Sequence, residues 1–187
     1  MEKNDPKRAR EITNAVIETS CLDGDLAEAG VSIGNSAEII CKAKGNKAFH
    51  LFDTFEGLPE SMFSPIDAST PIARYHMAPG MYAAPLSQVK ERLKQYDNVF
   101  YYPGLFPETA EPLKDKTFAF VHLDLDLYKS TLAALIFFYP RLDSGGIIMS
   151  HNYTNMPGVT KAFNEFFEDK PEKIKVISSS SCSVKKL

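Results

Sequence analysis

FAFVHLDLDLYKST (residues 118–131) opens as an apolar run of strand length and ends by setting two carboxylates, Asp124 and Asp126, two positions apart. The run reads as a buried strand. Side chains alternate along a strand, so both acids point the same way, toward whatever lies beyond its carboxyl end. Two like charges held close cost free energy. A bland arrangement has Asp126 capping a following helix, whose apolar pattern starts near Leu132, with Asp124 a solvated loop residue. The alternative is a ligand site, because open α/β sheets bind ligands at the carboxyl ends of their strands.

On either side of this strand the chain alternates strand and helix patterns. Asp5 followed by Pro6 predicts a helix start, and Ile12, Val16 and Ile17 form its apolar stripe as far as about Glu18. DLAEAGV (25–31) and KAFHLFD (47–53) predict strands, and NSAEIICKAKG (35–45) a helix closed by Gly45. Residues 54–84 show no period and are punctuated by Gly57, Pro59, Pro65, Pro71, Pro79 and Gly80 in a run rich in Met, Phe and Tyr. A loop of that length inside a domain is usually functional or disordered. LSQVKERLKQY (86–96) predicts a helix, NVFYY (98–102) a strand, and GLFPETAEPL (104–113) a loop. After the opening strand come a helix through LAALIFFYPRL (132–142), a strand GGIIMS (145–150), a helix VTKAFNEFFED (159–169) and two closing strands, KIKVISS (173–179) and CSVKKL (182–187). Alternating elements predict a parallel sheet of βαβ units, ending in an antiparallel hairpin.

At 187 residues and 44% hydrophobic, the chain predicts one domain over 1–187 with a substantial core, in which 54–84 is a lid-like insertion. A net charge of −3 and the lack of a basic stripe give no reason to expect a nucleic-acid or anionic-membrane partner. Three cysteines without C-x-x-C spacing fit reduced thiols in a cytoplasm. The amino-terminal stretch has no apolar signal region, and no run approaches the about 18 apolar residues of a membrane span. The expectation is a soluble, cytoplasmic protein.

The turn after the first strand, AEAGVSIGNSA (27–37), sets Gly30 and Gly34 before a helix N-terminus, which suits a polar or anionic group. Its G-x-x-x-G spacing departs from the G-x-G-x-x-G of dinucleotide folds. Glu28 adds like charge beside a pyrophosphate but suits an ammonium or sulfonium, and S-adenosylmethionine carries both. Asp53 ends the second strand about 20 residues after the glycine turn, where an acid can accept from both hydroxyls of an adenosine ribose. PGLF (103–106) brings a backbone turn and an apolar side chain to the adenine. His50 and His122 fall inside strands, where packed roles are expected. His76 falls in the 54–84 segment with Arg74, Tyr75, Met81 and Tyr82, and that segment can fold over the cofactor and exclude water.

GDLAEAGVSIGNSA, FDTFEGLPE, YPGLFPET, FVHLDLDLYKST, YPRLDSGGIIMSHNY and AFNEFF, in order over roughly 24–168, together resemble the macrocin O-methyltransferase family. These are class I enzymes dependent on S-adenosylmethionine that methylate hydroxyls of small molecules, often sugars on natural products. The resemblance implies a Rossmann-like three-layer α/β fold with a mostly parallel seven-stranded sheet. It implies that Glu28, Gly30, Ser36, Asp53, Thr54, Gly104, Leu105, Phe106 and Asp124 hold the cofactor, and that Asp124 is a metal ligand and the general base. The implied partner is a small hydroxylated molecule, and a homodimer is compatible with it.

The chain departs from that family after the GGIIM strand. Two aspartates usually precede the tyrosine there as further magnesium ligands, whereas here His151 and Asn152 precede Tyr153. Asp124, His151 and Asn152 then form a candidate metal set, and the imidazole shifts preference from Mg²⁺ toward Mn²⁺, Fe²⁺ or Zn²⁺. Alternatively no metal binds and His151 takes the hydroxyl's proton, its ordinary pKa of about 6.5 suiting a base at neutral pH. Two other functions stay open: a cofactor-binding module of the same fold without catalysis, and an NAD-linked oxidoreductase, which the glycine spacing and Glu28 disfavour.

Overall fold

A computed structural model describes residues 6–187, so the helix start predicted at Asp5 lies outside the described residues. The centre of the molecule is β4 (Phe118–Leu123), the strand read first in the sequence, with all six residues buried. It pairs in parallel with β1 (Asp25–Ala29) on one side and β5 (Leu142–Ser150) on the other. β2 (Phe49–Asp53) and β3 (Val99–Pro103) extend the parallel part. β7 (Cys182–Lys185) then pairs antiparallel with both β5 and β6 (Lys175–Val176), giving the order β3-β2-β1-β4-β5-β7-β6. This is the expected seven-stranded, mostly parallel Rossmann-like sheet.

Alternation along the strands loads both faces. Ala27, Ala29, Phe52, Val121 and Leu123 pack with Phe138 and Phe163 on α5 (Tyr128–Phe138) and α6 (Pro157–Phe167). Leu26, Phe49, Leu51 and Phe120 pack with Ile12, Val16, Ile40 and Val89 on α1 (Pro6–Glu18), α2 (Asn35–Ala43) and α4 (Leu86–Leu93). Each fully buried Leu, Ile or Phe contributes roughly 1.5–3 kcal/mol of transfer free energy, so these two layers hold the sheet between them. Residues 54–84 contain two short 3₁₀ turns and one brief helix, α3 (Pro71–His76). Among the described residues no helix is long and apolar enough to cross a membrane.

Three of the boundaries that differ from the sequence reading have a cause visible in the fold. β5 begins at Leu142, ahead of Gly145, because an irregularity in β4 between Phe118 and Phe120 lets Leu142 pair with Phe118. β1 stops at Ala29, since Gly30 turns away with φ +85°. α5 begins at Tyr128, a turn before the apolar pattern, and Asp126 does not cap it: Asp67, buried in the 54–84 segment, accepts from the Tyr128 amide at 2.7 Å.

Candidate active site

The carboxyl ends of β1, β2, β4 and β5 open into a cleft of about 920 Å³. Gly30, Asp53, Thr54, Gly104, Leu105, Phe106, Asp124, His151 and Asn152, all singled out in the sequence, line it. Four of the six non-glycine residues with positive φ among the described residues, Ser32, Tyr82, Asp126 and Asn152, also line it. Such conformations persist only where surrounding structure imposes them, and they gather at functional sites.

One half of the cleft is made from backbone. Asp53 Oδ2 accepts from the amides of Val31 and Ser32 at 2.6 and 2.9 Å, and Oδ1 from Phe55 at 2.7 Å. A carboxylate has about four acceptor positions, so Asp53 fixes the turn after β1 and keeps capacity for one further donor. Gly30 is required by a neighbouring strand: a Cβ there would lie 2.1 Å from the Asp124 carbonyl oxygen. The Gly104 amide donates to the Asp53 carbonyl at 3.0 Å, setting Leu105 and Phe106 beside it. Phe106 stacks on Phe138 at 5.3 Å, which anchors this wall in the core.

The other half is made from side chains. Leu123 pairs with Ser150, so the next residues of each strand, Asp124 and His151, emerge side by side. Asp124 Oδ1 lies 3.3 Å from His151 Nδ1, and Asp124 Oδ2 accepts from Arg8 Nη2 at 2.6 Å. Burial alone would raise the Asp124 pKa. The Arg8 guanidinium and His151 outweigh it and hold the carboxyl well below the usual carboxylate range. Asn152 directs its amide nitrogen at Asp126 Oδ1, 2.6 Å away.

This donor set does not fit a divalent ion. Both Asp124 oxygens are engaged by donors, and Asn152 Nδ2 is spent on Asp126. Among the described residues no three His, Cys, Asp or Glu side chains converge as a metal set.

Glu28 and Ser36 do not line the cleft. Glu28 sits inside β1 opposite His122 in register, and its Oε1 lies 2.8 Å from His122 Nδ1, both side chains fully buried. Ser36 is buried in the first turn of α2.

Residues 54–84 form one wall. Leu58 and Met81 exchange a hydrogen bond at 2.9 Å, as do Gly80 and Leu58, and Gly57 approaches so closely that a Cβ would lie 2.4 Å from the Gly80 carbonyl oxygen. This clasp brings Met81 and Tyr82 onto the cleft, and Ser32 Oγ donates to the Tyr82 carbonyl at 3.3 Å. Asp67 ties the far end to α5. Sequence reasoning missed Arg8 and Asp67. Arg8 lies 116 positions from its partner, and nothing local marks it. An acid three residues after Ser64, in a Ser-Pro-x-Asp turn, is a cap signal that could have found Asp67.

Residues 6–180 match the family model described as Macrocin-O-methyltransferase (TylF). The chain belongs to this family. It is 35% identical over 149 residues to the 8-demethyl-8-(2,3-dimethoxy-alpha-L-rhamnosyl)-tetracenomycin-C 4'-O-methyltransferase of Streptomyces olivaceus, a match covering 73% of this chain and 57% of that protein. It is 27% identical over 154 residues to the demethyldecarbamoylnovobiocin O-methyltransferase of Streptomyces niveus, covering 78% of this chain and 58% of that one. The chain thus spans less than two thirds of either relative. The solved O-methyltransferase NovP superposes with a TM-score of 0.81 at 24% identity, over 96% of this chain and 79% of that one, a likeness of fold.

Proposed function

We propose that this family member is an S-adenosylmethionine-dependent O-methyltransferase acting on a hydroxyl of a small sugar-bearing or natural-product-type molecule, with His151 as the proton acceptor. The observation that carries this reading is the pairing of His151 with Asp124 on the rim of the cleft whose opposite half is the Asp53-fixed turn. When bound, S-adenosylmethionine supplies a methyl group on a sulfonium. Asp53, the Gly30–Ser32 turn and the Leu105–Phe106 wall hold its adenosine end.

Methyl transfer is an in-line displacement, so positioning carries much of the rate and the acceptor's proton needs a destination. Asp124, held ionised, accepts from His151 Nδ1–H and so selects the tautomer whose basic nitrogen is Nε2. That nitrogen would take the hydroxyl proton as the methyl–sulfur bond gives way to the methyl–oxygen bond, the neutral thioether being the leaving group. Met81, Tyr82 and the rest of the 54–84 lid restrict water over the reacting groups. The name of the tetracenomycin relative specifies a rhamnosyl group, which supports a glycosylated acceptor.

The test is calorimetry with S-adenosylhomocysteine and with NAD, followed by methyl transfer to a panel of rhamnosylated and phenolic acceptors. Binding of the first ligand alone, with transfer to a hydroxyl, is expected. Binding of NAD alone would overturn the reading, and cofactor binding with no transfer to any acceptor would leave a binding module.

A further inference from the structure

We infer that Arg8 is the cation of this site: a positioning residue on Asp124 whose fixed charge makes methyl transfer here independent of a divalent metal. The inference rests on the methyltransferase reading for its chemistry and on separate observations for its geometry. Ile12 and Val16 are buried against Leu26, Phe120 and Met149, which docks α1 under the sheet. Arg8 lies one turn before Ile12 on the same helix face, so docking carries its guanidinium to the carboxyl end of β4. Phe120 faces the α1 layer, and strand parity sends Asp124 the same way. The two meet at 2.6 Å, with side chains only 17% and 20% exposed.

A guanidinium stays protonated at any pH the fold tolerates, and its planar fork matches a carboxylate. On Oδ2 it does two things a metal would otherwise do: it keeps Asp124 ionised and fixes its plane. Oδ1 is then left facing His151 Nδ1. A metal on Asp124 would have to displace this guanidinium from Oδ2 and the imidazole from Oδ1. His151, Asp124 and Arg8 form one arrangement, a base orientated by an arginine-held acid.

The experiment uses the full chain with Arg8→Ala and Arg8→Lys, thermal unfolding serving as the control for folding. Three quantities are read: the ¹⁵N signals of the His151 ring, free Mn²⁺ by electron paramagnetic resonance during titration, and methyl transfer with and without a chelator. In the wild type, Mn²⁺ should stay free and the ring should hold the Nε2-basic tautomer. Arg8→Ala should mix the tautomers and lower kcat about ten- to a hundredfold with little change in KM, the loss of one charge-assisted hydrogen bond set. Arg8→Lys should restore most of both. Should Arg8→Ala fail the unfolding control, Arg8→Lys still decides, because retention of the tautomer and of chelator-insensitive turnover is expected of it. One equivalent of Mn²⁺ taken up by the wild type, or a His151 spectrum unmoved in Arg8→Ala, overturns the inference. If ring and Mn²⁺ results are as expected and no form methylates any acceptor, the methyltransferase reading fails and the Arg8 assignment stands.

Discussion

The sheet carries two Asp–His pairs with a cation on the acid, one at each end. At the carboxyl rim, Asp124 meets His151 and Arg8. Near the amino end, Asp25 meets His50 at 3.1 Å and Lys116 at 3.3 Å. The residue types match, but the surroundings do not. His50 Nδ1 is occupied by the Tyr102 hydroxyl at 3.0 Å, and its ring is covered by Phe100 and Phe118. His151 instead borders the cleft, in reach of whatever fills it. The acid orientates an imidazole in both places, and only His151 is orientated beside a cleft.

The largest expected effect comes from removing the imidazole on the cleft side alone. His151→Ala should lower turnover by about 10²–10⁴-fold, the range for a lost general base, while S-adenosylhomocysteine affinity changes little. His50→Gln should leave turnover unchanged. Comparable losses of turnover in the two variants would erase the distinction between the ends of the sheet.

Asp53 gives a second contrast with Asp124, because its partners are backbone amides rather than side chains. Asp53→Ala should weaken S-adenosylhomocysteine binding by roughly 1.5–3 kcal/mol per charge-assisted bond lost, read by calorimetry, with the fold intact by circular dichroism. Release of the Val31 and Ser32 amides should add to that loss by loosening the turn. An unchanged dissociation constant would show that the adenosine end lies elsewhere.

That division also explains what could be read in the sequence. The strands were legible because β4 is apolar but for His122 and because Asp53 and Asp124 follow runs too apolar to be loops. The glycine turn was legible through Gly30, although its cause, contact with the Asp124 backbone, was not. His151 was legible as an oddity beside Tyr153. Arg8 was not legible, because helix docking alone carries it to Asp124. The pairing of Glu28 was not legible, because its position near a strand end says nothing of which way it faces: its partner is His122 on the adjacent strand. The start of α5 was misjudged because Lys129, Ser130 and Thr131 hide the helical period, and its cap comes from a residue 61 positions away.

The smallest expected effect concerns the amino-end pair and appears in stability rather than activity. Burial lowers the His50 pKa below its ordinary value of about 6.5, and the hydrogen bond to Asp25 opposes the shift without cancelling it. The unfolded chain therefore binds a proton at this position more readily than the folded one. Stability from this group is fully present above about pH 6.5 and is lost as pH falls through the lower folded value. Chemical denaturation midpoints measured from about pH 7.5 down to 5.5 should fall in the wild type and fall less steeply in His50→Gln, which cannot titrate. Asp124 does not blur the comparison: its carboxyl titrates below the usual carboxylate range, outside this window. Parallel slopes in the two proteins would mean that the folded state accommodates a charged His50 beside Asp25. The two Asp–His pairs would then differ in access to the cleft and not in the burial of the imidazole.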